Sequence, residues 1–115
     1  MLNIVGSSRY QIDRKSLKSY FVDLFDKYNV DPAGVINLVF MGKRKMKAIA
    51  LSYKKEDVAL PVLAFPYNEQ ASNERLLGEI FICYPQAVLL AAHRNKKVED
   101  VLKQLTEHGL KNIIG

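Results

Sequence analysis

The chain is poor in the residues that build staples and metal cages. It has one cysteine and two histidines in 115 residues. A single cysteine excludes an intramolecular disulfide. Cys83 stands in an apolar run, where a cysteine behaves as a small buried hydrophobe rather than a reactive thiol. Two histidines leave no room for a confident Ser/His/Asp set. There is no GxGxxG fingerprint and no P-loop lysine motif. No apolar run approaches the ~18 residues of a membrane-spanning helix. The start, MLNIVGSSRYQID, lacks the basic flank and apolar core of a signal peptide. Together these absences lead us to expect a cytoplasmic protein without a membrane partner.

What remains is an ordinary globular composition, 49% hydrophobic and 25% charged. That is enough apolar material for one core, so a single domain over residues 1–115 is expected. The 17 Lys and Arg outnumber the 12 Asp and Glu, leaving a net charge of +5. A basic balance of this size favours an anionic partner, nucleic acid above all.

Periodicity divides the chain into alternating elements. LNIVGSS reads as a short strand broken by Gly6. Asp13 is placed to cap a helix whose stripe is Leu17, Phe21, Leu24 and Phe25. DPAG is a turn. VINLVFMG is nearly continuous in apolar residues, which suits a buried strand. In KRKMKAIALSYKK the residues Met46, Ile49, Ala50 and Tyr53 share one helix face. PVLAFP is a short strand bounded by prolines, which belongs at a sheet edge. YNEQASNER reads as a polar loop, and LLGEIFICYP as the strand that pairs back. Pro85 suits the first turn of the next helix. Val98, Val101, Leu102 and Leu105 form the stripe of the last one. The order β-α-β-α-β-β-α-α predicts an α+β fold of α/β-like character. It is a small mixed sheet of about four strands with one antiparallel edge strand, flanked by helices.

Three features bear on chemistry. His108 follows Val101 by seven residues and Leu105 by three, so the spacing puts it on the apolar face, towards the core. Spacing leaves two readings open, a satisfied core histidine or a metal ligand. A helical metal site takes its second ligand at i+4, where Asn112 stands. An amide oxygen is a poor zinc ligand. His93, near a helix end, reads as solvated surface. The cluster Lys43, Arg44, Lys45 and Lys47 opens a helix, where the dipole disfavours cations by tenths of a kcal/mol. A solvated charged face and a phosphate-binding surface both fit it. Lys54 and Lys55 carry the basic character to the end of that helix.

Four stretches in order resemble the YbeY family, the bacterial rRNA maturation endoribonucleases, over about residues 35 to 115 and more weakly before. INLVFMGKRKMKAIALSYKKED resembles the family's strand, turn and helix ending in tyrosine, arginine and a charged loop. PVLAFP resembles its DVLSFP edge strand. LLGEIFIC resembles its LGDIVIC strand, with Glu79 in the aspartate's place. LTEHGLKNIIG resembles the start of its HGxLHLxGxDH signature. The resemblance implies a metal-dependent, single-strand-specific endoribonuclease of 16S rRNA processing and ribosome quality control. Its partners would be rRNA and the small ribosomal subunit, and three histidines would hold one zinc ion. His108 matches the first ligand, Asn112 replaces the second, and Gly115 matches the glycine that precedes the third. Lys54 stands in place of a phosphate-stabilising arginine, keeping the charge without the bidentate fork. On these residues zinc binding is expected to be weak or absent and hydrolysis impaired. The alternatives are a catalytically inactive RNA- or ribosome-binding module using Lys43, Arg44, Lys45, Lys47 and Lys54, and a protein-interaction domain with an open edge strand.

Overall fold

Asp13 starts the first helix as its sequence requires. Its side chain accepts a hydrogen bond from the Ser16 backbone N–H at 3.0 Å, satisfying one of the helix's free donors. The computed structural model describes residues 1–71 and 74–115, with the side chains of all of these but residues 7, 68–71 and 74. In chain order the elements are β1 (Leu2–Val5), a 3-10 turn (Ser7–Arg9), α1 (Arg14–Lys27), β2 (Gly34–Met41) and α2 (Lys43–Lys54). They continue with β3 (Val62–Ala71), β4 (Glu74–Cys83), α3 (Tyr84–Arg94) and α4 (Val98–Ile114). The expected order is the observed one.

The strands form one sheet in the order β1-β2-β4-β3. β1, β2 and β4 run parallel, and β3 pairs antiparallel with β4 at the edge. The fold is therefore α+β, with a mixed sheet and one antiparallel pair. Pro66 lies where the β3–β4 register shifts, between Pro66 and Glu69, as suits a residue without a backbone donor.

One expectation needs correcting. The polar stretch YNEQASNER is not a loop throughout. β3 continues to Ala71, which pairs with Glu74 at the start of β4. Ser72 and Asn73 lie outside the described residues. A strand ladder is made by the backbone, so a run without apolar alternation can still pair.

Strand alternation splits the core in two. Ile36, Leu38, Phe40, Ile80 and Ile82 face the larger cluster, covered by α1, α3 and α4. Met41, Leu63 and Cys83 face the other way and are covered by Met46 and Ala50 of α2. Cys83 is fully buried, and that burial raises its thiol pKa. α4 lies close on β4 because Gly109 faces the sheet: a Cβ there would come within 2.7 Å of the Ile80 side chain.

Candidate nucleic-acid interface

α2 is the only helix on its side of the sheet among the described residues, and it is basic from end to end. Lys43, Arg44, Lys45, Lys47 and Lys54 are all exposed, and the helix contains no carboxylate. Among the described residues only Lys47 of these five makes an ion pair, with Asp57 at 3.6 Å, and both partners are well solvated. Arg44, Lys47 and Lys54 recur at i, i+3 and i+10, which aligns them along one outward face. The helix covers about 18 Å at ~1.5 Å per residue. It is therefore a rod carrying positive charge at both ends.

Two features that sequence reasoning missed stand on this side of the sheet. Tyr53 was expected in the apolar stripe, yet it is 69% exposed. Its ring instead meets Phe65 of β3 edge-on, at 5.2 Å between centroids. In the same register of the sheet stand Asn3, Asn37 and Glu79, from β1, β2 and β4. Asn3 Nδ2 donates to Asn37 Oδ1 at 3.1 Å, and the Tyr67 hydroxyl donates to Glu79 Oε1 at 2.9 Å. Only pairing register aligns such a polar row, and register was not available from spacing.

On the other side of the sheet, the expected position of His108 is corrected. Its side chain is exposed, not turned to the core. The buried stripe of α4 runs through Val101, Leu102, Leu105, Thr106, Gly109 and Leu110. Thr106 and Gly109 shift its centre away from His108, and neither scores as apolar in a pattern count. Asn112 is also exposed, and so is His93 in the last turn of α3, as expected. His108 and Lys54 sit in different layers, α4 on one face and α2 on the other.

Glu107, beside His108, is the most engaged carboxylate among the described residues. It accepts from Tyr28 at 2.6 Å, Lys27 at 3.1 Å and Tyr20 at 3.2 Å, which ties α4 to α1. Hydrogen bonds from Tyr28 and then Lys27 push its pKa down to about 2. Burial, with the Glu107 charge, raises that of Tyr20. Glu107 is thus committed to packing and is not a spare ligand.

A zinc site does not fit these residues. No group of three His, Cys, Asp or Glu among the described residues could hold a metal ion. His108 offers one imidazole and Asn112 one amide, whereas catalytic zinc takes three protein ligands.

The fold and surface define a small mixed-sheet α+β protein with a basic helix on one face and the exposed His108 on the other. The family model described as endoribonuclease YbeY matches residues 4–115, and the chain belongs to the YbeY family. A relative named endoribonuclease YbeY from Phytoplasma australiense is 30% identical over 118 residues, covering 99% of this chain and 78% of the relative. One of the same name from Thermodesulfovibrio yellowstonii is 30% identical over 82 residues, covering 70% of this chain and 52% of the relative. The solution structure of a Thermotoga maritima protein shares the fold, with a TM-score of 0.69 at 23% identity. It covers 100% of this chain and 73% of that one.

Proposed function

We propose that this chain serves in rRNA maturation by binding single-stranded RNA along α2, with weak or no hydrolytic activity of its own. The observation that carries the reading is the row of exposed cations on α2, of which only Lys47 is ion-paired among the described residues, in a family whose relatives are named as endoribonucleases. Phosphodiesters would lie against Arg44, Lys47 and Lys54, with the Tyr53–Phe65 pair beside them. Lys54 would hold a phosphate as a point charge rather than as a fork. Where the three histidines of the family signature are present, a bound zinc ion would supply the activated water or Lewis acid of a hydrolase. Here His108 would supply only one of the three protein ligands that such an ion needs.

Two measurements test the reading. Purified protein should bind short single-stranded RNA with an affinity that falls steeply with salt, as phosphate contacts do. An absent or salt-insensitive interaction refutes it. Metal analysis should find no stoichiometric zinc. Zinc at one equivalent, lost in His108→Ala, would show the site to be functional and return the chain to the active enzymes.

A further inference from the structure

A cleft of about 760 Å³ lies at the carboxyl ends of β1 and β2. It is of a size that takes a ligand. Two segments far apart in sequence build it. Gly6 ends β1 with φ +77°, and a Cβ there would sit 2.6 Å from the Phe40 carbonyl oxygen. Only glycine allows so close a turn over β2. The turn carries Arg9 and Tyr10 to the start of α2, where the Tyr10 hydroxyl lies 3.7 Å from the Cβ position of Gly42. Tyr10 is held there by stacking on Tyr84, with centroids 4.7 Å apart and planes 26° from parallel. Arg44 and Lys45 enter from the other side.

No carboxylate lines the cleft, and among the described residues Arg9, Arg44 and Lys45 make no ion pair. Three cations around one concavity repel one another unless an anion sits between them. Two guanidinium forks suit the paired oxygens of a phosphate. Tyr10 adds an aromatic ring of the kind on which a nucleobase stacks. Arg44 also begins the outward row that continues through Lys47 to Lys54, so a strand held in the cleft would be led along α2.

We propose that this cleft anchors a phosphodiester of single-stranded RNA through Arg9, Arg44 and Lys45, with Tyr10 beside the adjoining base. The inference rests on the RNA-binding reading above and adds a site to it, formed with Arg9 and Tyr10 from outside the basic helix.

The test is binding of a fluorescein-labelled oligouridylate to three forms of the full chain: wild type, Arg9→Glu/Arg44→Glu, and a charge-matched control, Lys15→Glu/Lys18→Glu on α1. Thermal melts establish that each is folded, and Arg9→Gln/Arg44→Gln replaces the first double variant if it is not. Support is a loss of about tenfold or more in the cleft variant at ~50 mM salt, with the log–log salt slope reduced by about 1.4 for two phosphate contacts. The control should lose far less. If wild type binds and the cleft variant weakens no more than the control, the anchor is refuted while the RNA reading stands. If wild type binds no RNA, both fall.

Discussion

Glu107 shows how much one exposed-looking helix position can hold. Two tyrosine hydroxyls and an ammonium converge on its carboxylate, and its folded pKa of about 2 lies below the ordinary 4.5. A depressed carboxylate stabilises the fold above its unfolded pKa and loses that contribution as pH falls through the folded one. Thermal stability should therefore drop between about pH 4.5 and pH 2. Glu107→Gln should flatten that limb and lower stability at neutral pH by about 1 kcal/mol. Melts of both proteins across this range check it, and an identical acid limb in the variant would contradict it. Gly109 acts through what it lacks. A methyl there would press on Ile80, which is fully buried. Overpacking costs about 1–3 kcal/mol, and alanine's helix propensity returns ~1 of it. Gly109→Ala should thus lose up to about 2 kcal/mol in chemical denaturation. Combined with Ile80→Val, which trims the crowded side chain, it should cost less than the two changes summed.

At the scale of elements, α2 is built against its own dipole. Its first turn has Lys43, Arg44 and Lys45 and no acidic residue, and Gly42 provides no side-chain cap. Lys43→Glu should stabilise the protein by about 0.3–1 kcal/mol at low ionic strength. The gain should vanish in high salt, where the charges are screened. The same change should weaken RNA binding, so denaturation and binding must move in opposite directions if α2 keeps its cations for function. Helix boundaries of this kind were legible from sequence because caps and stripes are local: Asp13, the α1 stripe and Pro85 at the start of α3 all stand where spacing put them. The outer part of the β3–β4 ribbon was not, because the sequence YNEQASNER carries no apolar alternation to mark a strand. His108 was misplaced for a related reason. Its helix packs partly through Thr106 and Gly109, and only the approach of β4 reveals that these face the sheet. Half of the candidate interface was likewise readable, as the α2 cations. Arg9, Tyr10 and the Asn3–Asn37–Glu79 row depended on which segments the sheet brings together.

For the whole molecule, the decisive fact is where the charge sits. The five cations of α2 equal the net charge of +5, and the basic and acidic residues elsewhere are equal in number. The protein is therefore close to neutral apart from one helix on one face of the sheet. The other face, with α1, α3 and α4, holds the mixed charges, including the Lys27–Glu107 and Lys103–Glu99 pairs. Such an asymmetry orients an approaching polyanion before contact, and steering of this kind raises association rates in low salt and fades as salt is added. Stopped-flow mixing with oligouridylate should thus show an association rate that falls steeply with ionic strength. Reversing Lys47 and Lys54 to glutamate should reduce that rate several-fold and flatten its salt dependence. The same reversal at Lys15 and Lys18 should leave both nearly unchanged. Equal effects from the two pairs would mean that total charge alone draws the RNA in, and that the one-sided arrangement has no part in recognition.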